Sequence, residues 1–324
     1  MYGYRILHED ILDNLIRNVR ENRTQQAYIF EGADGIGNFD GAMLFANALV
    51  CSGENAPCKT CSACLMAAAG THPDIHVIGH ENKKKITSVE QVRSMITDAY
   101  IKPFENGKKV YILKYGDDIT QQAQNALLKI LEEPPQYAVF IILAENINSL
   151  LSAIRSRCTG IKFGPVSDKI IKAELLSSHP ELSDSIDFLV RYAGGNLGNA
   201  EKLLLQENFM ELRAKAFDKL EDLLSYNLLT AYNIAEFLEE NKDDADLILS
   251  FWLDFMHDAL LVKNDAPRLI DNTDIKDKLM GLSLRTDEEL IVKAIDELIV
   301  AQKMRKKYVS LKTLSLRLAF SIKK

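Results

Sequence analysis

Residues 27–50, AYIFEGADGIGNFDGAMLFANALV, restrict the fold of this chain more than any other stretch. Ala27 to Glu31 is a short apolar run that reads as a buried strand. Asn38 to Leu49 has helical period, and glycines at 32, 35 and 37 fill the turn between them. A strand breaking through glycines into a helix is the local plan of a phosphate-binding loop, where backbone N–H groups and a helix N-terminus hold the anion. The hydrolytic form adds a lysine for the β and γ phosphates and a serine or threonine oxygen for magnesium. Asn38 and Phe39 occupy those two places here. Asn38 carries no charge and Phe39 has no oxygen. The turn is therefore expected without ATP and magnesium hydrolysis, and no cofactor is expected at Gly32, Gly35, Gly37, Asn38 and Phe39. Passive nucleotide binding stays open.

A second test of the same chemistry lies downstream. Hydrolytic relatives of such a loop place an acidic residue after a buried central strand, to hold magnesium and activate water. The corresponding strand, within KKVYIL at 108–113, runs into Lys114 and Tyr115. Asp117 and Asp118 come later and read as helix-start residues before Thr120. Two separate parts of the hydrolytic machinery are thus absent.

Further strands and helices alternate through the first half. Ile75 to Ile78 and the almost wholly apolar AVFIIL at 138–143 read as strands, the latter covered on both faces as in a parallel sheet. Val89 to Tyr100 and the run TQQAQNALLKILEEPP read as helices. In that run Thr120 caps the start, positions 123, 126, 127, 130 and 131 share a face, and Pro134 and Pro135 stop it. Repeated strand–helix units predict an α/β domain with a parallel sheet. Beyond residue 165 the strand signal fades, and helical period dominates from about 208, with Thr286 and Glu289 spaced as a capping box. A chain of 324 residues exceeds one small core. The expected domains are an α/β unit over 1–165, a small helical domain over 166–207 and an all-α domain over 208–324.

Four of the five cysteines, Cys51, Cys58, Cys61 and Cys64, fall in CSGENAPCKTCSAC. Clustering of this kind points to a metal where thiols stay reduced. Four thiolates suit a closed, structural zinc site. A redox pair or an iron–sulfur cluster is the alternative on ligand count. His72, His76 and His80 follow at four-residue intervals and read as surface or packing residues.

QAYIFEGADGIGN, the four-cysteine insert, AGTHPDIHVI, IKPFENGKKVYIL, QNALLKILEEPP and AIRSRC occur in one order across nearly 160 residues. This ordered set resembles the delta-prime subunits of bacterial DNA polymerase III clamp loaders, members of the AAA+ group. The resemblance implies an AAA+ domain with a zinc module at 51–64, a lid domain at 166–207 and an oligomerising collar at 208–324. It also implies a subunit of the polymerase III holoenzyme without intrinsic catalysis, joined to gamma/tau ATPase subunits and delta. That assembly loads a sliding clamp on primer–template DNA. In the family's Ser-Arg-Cys motif, matched by Ser156, Arg157 and Cys158, the arginine projects into a neighbour's ATP site as a trans arginine finger. Arg155 is then structural, and Cys158 packs in the core. Ala144 and Gly198 stand where active relatives carry a polar sensor and a sensor arginine, which agrees with a non-hydrolysing subunit. An active AAA+ ATPase with unusual catalytic residues, or a stand-alone zinc-containing DNA-binding module, are the competing readings.

The formal charge of -7 excludes a globally basic nucleic-acid coat but not a local basic face. Lys83, Lys84 and Lys85 read as a solvated loop. Residues 301–324 carry eight basic and no acidic side chains, with Leu311, Leu314 and Leu318 on a helical face suited to packing in a collar-like ring. No stretch of eighteen apolar residues occurs, and MYGYRILHED lacks the basic start and apolar core of a secretory signal, so no membrane partner and a cytoplasmic location are expected.

Overall fold

Five parallel strands carry the first half of the chain, in the order β2-β3-β4-β1-β5, in a computed structural model that describes residues 7–79, 88–104, 107–180, 186–205, 209–225, 228–305 and 309–322. The strands are β1 (Ala27–Glu31), β2 (Ile75–Ile78), β3 (Lys109–Leu113), β4 (Ala138–Ala144) and β5 (Thr159–Lys162). His80, Lys83, Lys84 and Lys85 lie outside the described residues, as do Lys306, Lys307, Lys323 and Lys324 of the basic C-terminal stretch.

The apolar runs are continuous because both faces of the central strands are covered. Tyr28, Phe30, Val110, Ile112, Val139 and Ile141 point to one face. There they meet Leu12 and Leu15 of α1 (Glu9–Arg20), Phe45 and Leu49 of α2 (Asn38–Val50), and Ala63 and Ala67 of α3 (Ser62–Ala68). Ile29, Tyr111, Phe140 and Ile142 point to the other. Their partners are Val92 and Met95 of α4 (Val89–Ala99), Leu127 and Ile130 of α5 (Gln121–Glu132), and Ile154 of α6 (Ser152–Arg155). Thr120 caps α5 as the sequence predicts, its hydroxyl accepting from the Ala123 N–H at 3.2 Å.

Two compact units divide the chain, residues 1–202 and 203–324. The first also holds α7 (Asp168–Ser178), α8 (Ile186–Ala193) and most of α9 (Leu197–Leu205). The second contains α10 (Phe209–Ser225), α11 (Leu228–Glu240), α12 (Ala245–Lys263), α13 (Lys276–Arg285), α14 (Glu288–Arg305) and α15 (Leu311–Ser321). Its axis is α12, whose Phe251, Trp252, Phe255, Met256 and Ala259 are fully buried. The Trp252 indole N–H donates to the Ala216 carbonyl at 2.7 Å, satisfying the one polar atom that this ring takes into the core.

Two sequence expectations change here. Leu311, Leu314 and Leu318 are buried inside the chain's own helical unit, where α15 packs on α11 and α14, so their apolar face is already covered. The exposed apolar residues of α15 are Leu316 and Phe320. Thr286 ends α13 as its C-terminal cap residue, and α14 begins only at Glu288.

Candidate functional site

The phosphate-type loop closes in the way its glycines require. Gly37 precedes α2 at φ +101°, a left-handed conformation that side chains rarely adopt. Gly35 meets the first turn of α9 backbone to backbone. The Gly198 N–H donates to the Gly35 carbonyl at 3.0 Å, and a Cβ on Gly198 would lie 2.5 Å from the Gly35 Cα. Asn196 adds a side-chain bond to the Asp34 carbonyl at 2.9 Å, and Lys202 reaches the Asp34 carboxylate at 3.4 Å.

Inside this loop the residues that replace the hydrolytic ones are occupied with one another. Asn38 is buried and turned inward. Its Nδ2 donates to the Gly32 carbonyl at 3.1 Å, while its Oδ1 accepts from the Phe39 N–H at 2.9 Å. The Lys114 ammonium sits 4.1 Å from the centre of the Phe39 ring, a cation–π contact, with the Tyr115 ring at 5.5 Å. A cation and an aromatic face thus meet where metal-assisted cleavage needs oxygen ligands. Glu145, just beyond β4, takes the Asp34 N–H at 3.2 Å, so a carboxylate of the chain engages one loop N–H. These residues line a cleft of about 450 Å³ with Asp40, Asp117, Asp118 and Ala144. Asp117 braces its wall, accepting from the Glu145 N–H at 2.6 Å, the Asn146 N–H at 2.9 Å and the Ser149 hydroxyl at 3.0 Å.

The cysteine knuckle follows α2 directly. The Sγ atoms of Cys51, Cys58, Cys61 and Cys64 all lie within 4.8 Å of one another, with Cys51–Cys61 at 4.0 Å and Cys58–Cys64 at 3.9 Å. A tetrahedral ion with bonds of about 2.3 Å sets its sulfurs about 3.8 Å apart. The donor set therefore fits one four-coordinate ion. Backbone N–H groups point at the sulfurs as they do around thiolates: Gly53 and Cys58 donate to Cys51 at 3.3 Å each, Cys61 to Cys58 and Cys64 to Cys61 at 3.4 Å each. The Cys58 thiol is pulled down to about 5, chiefly by the Thr60 N–H, whereas burial pushes Cys64 up. Among the described residues no histidine joins this group. His72 is buried with its Nδ1 accepting from the Asp74 N–H at 3.0 Å, and His76 stacks on Tyr111 at 5.0 Å.

Ser156 and Arg157 lie just past α6. The Ser156 hydroxyl donates to the Ala153 carbonyl at 3.0 Å. Arg157 gives Nη1 to that same carbonyl at 2.8 Å and Nη2 to Glu132 Oε1 at 2.7 Å. Arg155 bonds Asn148 Oδ1 at 3.0 Å, and Cys158 packs against the α5 side of the sheet with burial pushing its thiol up to about 12. The sequence marks Lys114 and Phe39 as departures from a hydrolytic site, yet gives no sign that they pair. Glu145 stands in no motif and Glu132 only within the QNALLKILEEPP stretch, which names no partner for it; the folded chain brings them to the loop and to Arg157.

Residues 7–167 match the family described as DNA polymerase III, delta subunit. A DNA polymerase III subunit delta' from Bacillus subtilis (strain 168) is 32% identical over 222 residues, 67% of this chain and 65% of that one. A subunit delta' from Pseudomonas aeruginosa is 32% identical over 206 residues, 62% of each chain. A DNA polymerase III subunit gamma/tau from Mycoplasma pneumoniae is 29% identical over 211 residues, 63% of this chain and 30% of the relative. The chain spans 65% and 62% of the lengths of those two delta' relatives. Over this matched region it belongs to the DNA polymerase III delta-prime family. Among the described residues, no helix is long and apolar enough to cross a membrane.

Proposed function

We propose that this delta-prime family chain is a non-hydrolysing subunit of a clamp loader, assembled with gamma/tau and delta subunits in the cytoplasm to place a sliding clamp on primer–template DNA. Its own phosphate loop is a structural remnant. Its contribution to ATP chemistry is Arg157, offered in trans to a neighbour's nucleotide with Ser156 supporting the turn. The observation that carries the non-hydrolysing reading is the Lys114 ammonium 4.1 Å from the Phe39 ring. Magnesium needs oxygen ligands, and a second cation at that place repels it. The inward turn of Asn38 supports the same reading, since its amide N–H is already given to the Gly32 carbonyl.

In this reading Cys51, Cys58, Cys61 and Cys64 hold one structural zinc ion. Bound there, zinc would supply cross-linking of the 51–64 segment and no reactive position, because all four ligands come from the protein. Residues 166–207 act as the lid and 208–324 as the collar. Within the lid segment, the Gly35–Gly198 approach supports a fixed closure over the loop that needs no nucleotide.

Arg157 reaches the active role through charge. A guanidinium at a γ-phosphate neutralises charge that shifts during phosphoryl transfer, and such arginines contribute about 10³–10⁵ in rate where measured. Reconstitution with gamma/tau and delta subunits tests this. Arg157→Ala is expected to lower DNA- and clamp-stimulated ATP turnover at least tenfold at the neighbouring site, with assembly intact by gel filtration. Unchanged turnover would remove the trans role.

A further inference from the structure

Arg157 is engaged within its own chain. Its guanidinium donates to Glu132 Oε1 at 2.7 Å and to the Ala153 carbonyl at 2.8 Å. Glu132 is the last residue of α5, followed by Pro134 and Pro135, which end the helix there. A carboxylate at that end faces the negative pole of the helix dipole, so α5 itself gains nothing from an acid at this position. The pair is also superficial: 35% of the Arg157 side chain and 51% of the Glu132 side chain are exposed. Ion pairs so placed add little to folding and bias, rather than lock, where a long side chain points.

We infer that Glu132 is a positioning residue for Arg157: its carboxylate parks the guanidinium in the free chain and competes for it with the phosphates of a neighbouring subunit's nucleotide. The inference rests on the trans role proposed for Arg157. Carboxylate and phosphate both suit the planar fork of arginine, so assembly exchanges one anion for another without leaving the cation bare. The bond to the Ala153 carbonyl needs no anion and keeps part of the side chain anchored through the exchange. Because the parked pair is exposed, the competition is weak, which allows nucleotide to win.

The test is steady-state ATP hydrolysis by the reconstituted complex carrying the full chain as wild type, Glu132→Gln, Glu132→Ala, Arg157→Ala or Glu132→Gln with Arg157→Ala. Removing the competing charge is expected to lower the KM for ATP about two- to fivefold while kcat stays within about twofold. The change should shrink as salt is raised and vanish when Arg157 is already alanine. The two Glu132 substitutions should agree, since both remove the charge and only one keeps an acceptor. If Arg157→Ala lowers turnover while both Glu132 variants keep the wild-type KM, parking is refuted and the trans role stands. If Arg157→Ala leaves turnover unchanged, the trans role fails and takes this inference with it.

Discussion

The cysteine knuckle and the phosphate loop sit at opposite ends of one helix, α2, and have gone opposite ways. At its C-terminal end four sulfurs converge within 4.8 Å, close enough to hold one ion, and backbone N–H groups support three of them. At its N-terminal end the loop keeps its glycine geometry, but its replacement side chains bond to the loop and to each other. One site holds four donors close enough together for one metal ion, and the other, on the function proposed above, keeps only the shape. If the proposed function holds, this fold preserves a loop for packing after its chemistry is gone, and the way to distinguish the two is to follow where each donor and acceptor points.

Metal removal should separate the two ends most sharply. Structural zinc in small modules contributes on the order of 10 kcal/mol or more. Metal analysis should find one zinc per chain, and Cys64→Ser or strong chelation should abolish it. Protease protection across residues 51–68 should be lost as well, because the helix α3 that carries Cys64 is only seven residues long. A purified protein that holds no metal, or that keeps its protection after its metal is shown to be gone, would place the knuckle in the same class as the loop, a preserved shape without a ligand.

At the loop, the corresponding lesion is steric. Gly198→Val puts atoms into the Gly35 backbone and is expected to lower stability by about 1–3 kcal/mol in urea unfolding. Lys114→Met tests the replacement pair and should lower stability by no more than about 1 kcal/mol, the worth of a partly exposed cation–π contact. If Gly198→Val were silent and Lys114→Met severe, the loop would be held by charge and the comparison would need to be redrawn.

A smaller effect concerns the fifth cysteine. With its thiol pushed up to about 12, Cys158 holds a thiolate fraction on the order of 10⁻⁴ at pH 8, so iodoacetamide should leave it unmodified in the folded chain. After chelation the four knuckle cysteines should react first. Mass spectrometry of the labelled peptides reads both.

Legibility followed how local each signal was. Ala27–Glu31 and Ile75–Ile78 have the bounds read from the sequence, and β4 runs one residue past its expected end, because short, mostly apolar runs between turns leave few alternatives. Thr120 was visible as a cap because its partner lies three residues away. β5, Thr159–Lys162, escaped because it is short, carries no apolar alternation, and pairs with a single neighbour, β1. Thr286 misled because a threonine between two helices can close one as readily as open the next. Leu311, Leu314 and Leu318 gave the right face but not its partner, since period reports that a face is buried and not against what. The same limit applied at the sites. Four cysteines within fourteen residues announce themselves, whereas Lys114 and Phe39, or Glu132 and Arg157, meet only through the order of the strands and helices between them.

The measurement that bears most directly on the proposed loss of phosphate chemistry is ATP turnover by the purified chain alone, with and without magnesium, followed through successive chromatographic steps. The Lys114–Phe39 contact and the inward-turned Asn38 predict no turnover that tracks with the protein. Magnesium-dependent hydrolysis that co-purifies with the chain and is removed by Asn38→Ala would contradict it.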